Sequence, residues 1–207
     1  MKSSLTTMDP TIGVVPANEA AWDDLRAVVG SARCHAAQCY CQRLKIPHHE
    51  WRWVSDADRA DQLREQTRCG NPGARSTTGL VAYIDDVPVG WCSVEPRTRY
   101  VNVMNTKMPW SGRREDKADD TVWAVGCFIT RTGYRLRGVT YALAHAAVDF
   151  ARKQGAGALE GYAMITTPGK TITWGELHVG SVRVFAAAGF EEVSRPSKRR
   201  VVMRIEL

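Results

Sequence analysis

Residues 121–129, TVWAVGCFI, are the most apolar stretch of the chain, and they constrain its fold more than any other segment. A short run of this kind, with polar residues on either side, reads as a central strand buried on both faces. Such a strand belongs inside a sheet that is covered above and below. At 207 residues the chain is long enough to build that core without disulfides or metals.

The flanking sequence supplies the rest of a mixed α/β order. Thr11–Ala17 reads as a short strand, and Asn18 is placed to cap a helix through Gly30. Asp56 or Asp58 starts a second helix that runs to Arg68 and stops at Gly70-Asn71-Pro72-Gly73. Leu80–Ile84 and Val87–Val94, joined by Asp85-Asp86, read as a hairpin. Arg97–Asp120 is long, polar and charged, which predicts a lid or binding loop. Gly138–Gln154 reads as a helix with Val139, Leu143, Ala146 and Phe150 on one face. Ala158–Met164 is a further strand, Val179–Ala188 a short helix, and Phe190–Val193 and Arg200–Leu207 closing strands. Val201, Met203, Ile205 and Leu207 alternate with polar or second-face residues, a half-buried antiparallel pattern. No repeat or linker separates two cores, so we expect one domain over 1–207.

Charge and cysteine content narrow the function classes. The net charge of +6 favours anionic partners. The basic residues are spread out rather than gathered in one stripe, which argues against a dedicated nucleic-acid binder. No apolar run reaches the ~18 residues of a membrane span, and Met1–Leu5 leads into no apolar signal region, so a cytoplasmic setting is expected. Cys34, His35, Cys39, Cys41, His48 and His49 cluster, but their spacing matches no standard zinc knuckle, and we expect no metal site.

The chemistry is concentrated in Cys127–Thr140, CFITRTGYRLRGVT. A buried strand ends, an arginine- and glycine-rich loop follows, and a helix begins near Gly138. The first turn of a helix leaves backbone N–H groups unpaired, and these with the helix dipole hold phosphate. Gly138 has no Cβ to block an anion's approach, and Arg135 and Arg137 add charge. Taken alone, the same glycines also fit ordinary turns with solvated arginines.

Arg135-Leu136-Arg137-Gly138-Val139-Thr140 resembles the R/Q-x-x-G-x-G/A signature of the GNAT acetyltransferase superfamily, with Thr140 in place of the final small residue. Val89-Gly90-Trp91, the strand before the motif, the helix and strand after it, and Phe185 through Gly189-Phe190-Glu191 are similar to that family as well, so the resemblance covers most of Leu80–Leu207. It implies a GNAT-type fold, a mostly antiparallel central sheet flanked by helices. It also implies acetyl-CoA as cosubstrate and direct transfer to an amine acceptor in a ternary complex. By the same resemblance, backbone groups of Cys127 and Ile129, in the run Cys127-Phe128-Ile129, align the acetyl and pantetheine part. The amides of Arg137, Gly138, Val139 and Thr140 hold the pyrophosphate, beside Arg135 and Leu136.

The family's usual general-acid tyrosine falls on Phe185 and its asparagine on His178, so the acid is missing from its usual place. Tyr162 and His178 are the replacements to consider, with Glu160 as a candidate base beside Glu95, Asp119, Asp120 and Glu176. Each also has a plain reading as a packed or solvated side chain. Cys127, inside an apolar strand, reads as an inert thiol. Trp51, Trp53, Trp110 and Trp174 are candidates for the wall of an acceptor pocket. Loss of the tyrosine also leaves open a non-catalytic acyl-CoA-binding or regulatory module. The final strand is a candidate for pairing in a homodimer.

Overall fold

The computed structural model describes residues 11–34 and 37–207, without the side chains of Arg33, Cys34, Ala37 and Trp174. The Met1–Leu5 start and His35 lie outside the described residues. In chain order the elements are β1 (Ile12–Pro16), α1 (Trp22–Val29), β2 (Arg33–Cys34), β3 (Ala37–Gln38), α2 (Asp56–Thr67), β4 (Leu80–Ile84) and β5 (Val87–Pro96). After them come α3 (Val101–Asn105), β6 (Val122–Thr130), α4 (Val139–Lys153), β7 (Ala158–Gly161), α5 (Trp174–Leu177), α6 (Val182–Ala187), β8 (Glu191–Ser194) and β9 (Val202–Glu206).

Seven strands form one sheet in the order β1-β4-β5-β6-β7-β9-β8, while β2 and β3 pair separately. Only β6 and β7 run parallel within the large sheet. The fold is therefore mixed α/β with a mostly antiparallel sheet, as expected. The apolar run 121–129 takes the middle of it. The β4–β5 hairpin turns through Asp85 and Asp86, both at positive φ (48° and 61°), as a two-residue turn that follows strand twist requires.

Several boundaries differ from the sequence reading, each for a local reason. α1 begins at Trp22, not at Asn18. Asn18 is buried instead, and its Nδ2 donates to the carbonyls of Asn71 and Pro72, both at 3.3 Å. α2 begins at Asp56 as expected, and Ser55 before it is the cap: Ser55 Oγ accepts from the Asp58 amide at 3.1 Å, and the Asp58 carboxylate accepts from the Ser55 amide at 3.0 Å. The helix expected over 179–188 starts only at Val182, after Gly180, whose φ is +88°, and ends at Ala187; a separate short turn of helix, Trp174–Leu177, precedes it. The last strand is not half-buried at its start, because Val201, Val202 and Met203 are all covered. It does not lie at an edge either. β9 is flanked by β7 and β8, so it cannot pair with a second copy; the sheet edges are β1 and β8.

The helices divide between the faces. α4 and α6 cover one side through Val139, Leu143, Ala147, Phe150 and Phe185. α1 and part of α2 cover the other through Leu25, Val28, Val29 and Leu63, against Trp91, Cys127 and Ile129. α4 sits so close that a Cβ on Gly90 would come within 2.5 Å of Val139 Cγ1. Alternation along β6 is broken once. Val125 and Phe128 share the α4 face although three residues apart, because Gly126 is an extra residue opposite the Ser93/Val94 junction. Tyr100 fills the space beside it: a Cβ on Gly126 would lie 2.7 Å from the Tyr100 ring.

The Phe185 ring wedges over β7, where a Cβ on Gly161 would meet it at 2.3 Å. Gly161→Ala is therefore expected to destabilise the protein by about 1–3 kcal/mol in urea unfolding, and adding Phe185→Leu to recover part of that loss. A neutral Gly161→Ala would contradict this packing.

Candidate active site

The site begins where β6 and β7 part. They pair from Val122–Ala158 to Val125–Gly161, and beyond this β6 continues to Thr130 without β7. Residues 178–182 fill the gap as a wedge. The Phe128 amide donates to the His178 carbonyl at 2.6 Å, the Met164 amide to the Gly180 carbonyl at 2.9 Å, and the Val182 amide to the Met164 carbonyl at 3.0 Å. On its other side β6 bonds β5. The Arg131 amide donates to Val89 at 2.9 Å, so by the two-residue period the backbones of Ile129 and Cys127 also turn to β5. The groups that face the gap belong to Phe128 and Thr130. This corrects the expectation that Cys127 and Ile129 present their backbone to a bound arm.

Outward from the wedge lies a cavity of about 340 Å³, lined by Phe128, Thr130, Thr140, His178, Gly180 and the loop before α4. Tyr134, Arg135, Leu136, Gly138, Val139 and Thr140 border it, whereas Arg137 does not; its guanidinium stacks on the Tyr134 ring at 5.3 Å. Gly138 is the N-cap of α4 at φ +81°, and no side chain caps the helix. The first-turn amides therefore open on the cavity mouth with the positive end of the helix dipole behind them. Leu136 is fully exposed at φ +62°, a conformation that costs a leucine roughly 1–2 kcal/mol and bends the loop around the opening.

His178 joins this cavity to a second, much smaller crevice of about 10 Å³ lined by Cys39, Cys41, Arg43, Tyr100 and Cys127, room for one water-sized group. Burial, followed by the charges of Arg43 and Arg200, pulls the imidazole down from an ordinary 6.5 to about 4. It is neutral at pH 7. Its Nδ1 lies 2.9 Å from the Gly175 carbonyl, which only accepts, so Nδ1 carries the proton and Nε2 the lone pair. At pH 7 His178 therefore has no proton to give at Nε2 and presents that atom as a hydrogen-bond acceptor, while its lowered pKa makes it a weak base. Tyr100 is the nearby hydroxyl donor. Burial, then Glu95, holds its phenol well above the usual range, and its hydroxyl lies 2.9 Å from Ser93 Oγ. The Cys41 thiol, which accepts from Trp91 Nε1 at 3.0 Å, is raised first by its hydrogen bond with Cys127. A thiol kept protonated in this way is a wall and not a nucleophile.

Glu160 does not reach this place. It is fully buried on the face opposite α4, bonded by Arg113, by Arg97 at 3.3 Å and by Arg204 at 3.2 Å. A carboxylate shared by three guanidiniums has no lone pair to offer an amine, so its expected role as base is withdrawn. Tyr162 goes with it: its hydroxyl donates to Glu160 Oε2 at 3.3 Å, and burial raises its pKa. The other acids are engaged too. Glu95 pairs with buried Lys45 at 2.5 Å, Glu176 with Arg199 at 2.7 Å, and Asp119 accepts from Thr121. The tryptophans also fall elsewhere. Trp110 is buried beside Arg97, Arg113 and Lys117, Trp51 lies under Arg59, and Trp53 is 75% exposed. Neither cavity is lined by these three.

Among the described residues no group of three or more His, Cys, Asp or Glu is arranged to hold a metal ion, and no helix is long and apolar enough to cross a membrane. Sequence reasoning missed Tyr100 and Arg43. Tyr100 lay within a segment read as loop, and its signal was Gly126, the one residue of β6 that leaves room for its ring.

This two-ended site on a sheet that opens between two parallel strands defines a coenzyme-using transferase fold. The sequence profile of the Acetyltransferase (GNAT) family matches residues 42–167, which is more than half of the chain. The chain belongs to the GNAT acetyltransferase family and is by that membership an acyltransferase. The match begins at residue 42, ahead of Leu80 where the resemblance in the sequence starts. Solved structures agree in fold. A GCN5-related N-acetyltransferase from Kribbella flavida is 16% identical with a TM-score of 0.54, over 95% of this chain and 98% of that one. A ribosomal-protein-alanine N-acetyltransferase from Brucella melitensis is 17% identical with a TM-score of 0.52, over 95% and 99%. The yncA protein of Salmonella typhimurium, solved with its cofactor acetyl-CoA, is 12% identical with a TM-score of 0.52, over 94% and 93%. No curated protein matches the sequence.

Two outcomes test the side-chain roles. His178 binds its proton in the unfolded chain below about 6.5 but in the folded protein only below about 4, so stability falls as pH drops through that window. Between pH 7 and pH 5 urea unfolding should show a loss of about 2 kcal/mol that His178→Gln lacks; identical pH profiles would contradict the buried neutral imidazole. Glu160→Gln, which strands three arginines, is expected to cost about 3 kcal/mol or more of stability. Loss of activity with wild-type stability would instead restore Glu160 as a base.

Proposed function

We propose that the chain is an acetyl-CoA-dependent N-acetyltransferase that passes the acetyl group directly to an amine in a ternary complex, with residues 1–207 acting as one domain. The observation that carries this reading is continuity. The uncapped N-terminus of α4 opens on a cavity that follows the β6–β7 gap to His178. In this reading the coenzyme diphosphate lies on the amides of Arg137, Gly138, Val139 and Thr140, with Arg135 beside it. The pantetheine arm runs past Phe128, Thr130 and Gly180, and the acetyl group reaches Gly126 and Cys127. The acetyl-CoA bound to the Salmonella protein supports the choice of cosubstrate.

The chemistry follows from the neutral imidazole. The acceptor amine gives up a proton toward His178 Nε2, its nitrogen bonds to the acetyl carbon, and the carbon–sulfur bond breaks. The proton given up by the amine balances the departing thiolate, with the Tyr100 hydroxyl, which lines the crevice, as a donor that is reprotonated in the same exchange. The products are an acetylated amine and coenzyme A thiol. A cytoplasmic setting fits the grouped thiols of Cys39, Cys41 and Cys127, which persist in a reducing compartment.

A second reading, acyl-CoA binding without transfer, is favoured by Phe185. It stands where the family carries a tyrosine, and its ring packs on Phe128 and Phe190 at 5.7 and 5.0 Å. Calorimetry decides the common part. Acetyl-CoA is expected to bind the wild type and to bind Gly138→Glu at least about tenfold more weakly, because that variant adds charge and strain at φ +81°. Equal affinity, or no binding to either, contradicts both readings. Thiol release with an amine panel then separates transfer from binding alone.

A further inference from the structure

Resting on the coenzyme reading above, we propose that the small crevice receives the methyl end of the acyl group and that Cys41 is the wall that limits this group to two carbons. The track along β6 sets the position. Phe128 and Thr130 line the larger cavity, Gly126 and Cys127 line the crevice, and His178 borders both. One residue further in, β6 is paired again, Val125 against Gly161. A thioester that follows the gap therefore comes to its end at the crevice. With about 10 Å³ there, the space suits one methyl, a group close to a water molecule in size, and no longer chain. Arg43 also borders the crevice, but a carboxylate tail has no room beside it.

The crevice stays small because its walls are anchored from behind. Cys41 Sγ accepts from Trp91 Nε1 at 3.0 Å, and Trp91 is fully buried. The indole is itself seated over Gly79, where a Cβ would come within 2.1 Å of its Cη2. The segment after Cys41 is tied down as well. Asn102 Nδ2 donates to the carbonyls of Arg43 and Ile46 at 2.7 and 2.8 Å, and Lys45 pairs with Glu95 at 2.5 Å. Opposite, Tyr100 is held between Ser93 Oγ at 2.9 Å and Gly126, where a Cβ would lie 2.7 Å from the ring. A longer acyl group would have to displace a sulfur or an aromatic ring that packing holds in place, which a close-packed interior resists. Cys41 is the wall whose side chain is removed at least cost to the backbone, because its φ of +55° suits glycine better than cysteine.

Calorimetry with acetyl-, propionyl- and butyryl-CoA, with no acceptor present, is the test. The wild type is expected to bind butyryl-CoA at least about tenfold more weakly than acetyl-CoA, with propionyl-CoA between them. Cys41→Gly is expected to bring butyryl-CoA to within about threefold of acetyl-CoA, and Leu44→Ala, which opens the crevice from another side, to move the ratio in the same direction. Cys41→Ser, which keeps the size of the side chain and an acceptor for Trp91, is expected to keep the wild-type order. Affinity for free CoA and thermal melting check that each variant folds, and either enlarged variant decides if the other does not fold. Equal affinity for the three compounds in the wild type overturns the proposal and leaves the coenzyme reading standing. A ratio unchanged in the folded enlarged variants overturns it too. If no acyl-CoA binds the wild type, the coenzyme reading falls first and the acyl limit falls with it.

Discussion

The separation of β6 from β7 after Val125 and Gly161 is the constraint on which the rest of the structure depends. Parallel strands in a sheet normally stay paired, since every parted amide and carbonyl needs another partner. Here the chain supplies one by folding residues 178–182 into the gap, so that Phe128, Met164 and Val182 keep their hydrogen bonds. The wedge needs glycine at two points. Gly180 and Gly161 leave room for the Phe185 ring, which props the strands apart. Phe185, where the resemblance would place a tyrosine, is here an apolar strut. Polar work in the gap falls to His178, whose main chain closes the wedge while its side chain reaches both cavities.

The opposite face of the sheet is organised by charge rather than by apolar packing alone. Glu160 collects Arg97 and Arg113 from the segment after β5 and Arg204 from β9. Breaking such a buried set is costly because the remaining charges are left without compensation. This ties the polar segment 97–116 down against β7 and β9. With that segment fixed, Tyr100 is delivered to the bulge at Gly126, and Asn102 fixes the main chain of Arg43. A network remote from the larger cavity therefore positions the groups around the proposed acyl centre.

The strand 121–129, the hairpin, the helix after Gly138 and the loop that leads into it were legible because each is a local pattern: an apolar run, a turn dipeptide, a helical period, a glycine in a loop. The basic loop and its resemblance to the GNAT signature lay within fourteen consecutive residues, Cys127–Thr140. What was not legible depended on distant pairing. Glu160 looks like any carboxylate until arginines up to 63 positions away converge on it. His178 as a junction, Tyr100 against Gly126 and the late start of the helix expected from 179 all follow from the strand separation, which no local period encodes. The one-residue bulge at Gly126 also reassigns the backbone of the following residues between β5 and the gap. That is why Phe128 and Thr130, rather than Cys127 and Ile129, turn toward it.

The most direct test of the account is a crystal structure of the protein with acetyl-CoA. The account predicts the diphosphate against the amides of residues 137–140, the pantetheine arm in the gap between β6 and the 178–182 wedge, and the acetyl carbonyl between Gly126 and His178. Coenzyme bound elsewhere on the surface, with the gap still closed by side chains, would contradict it.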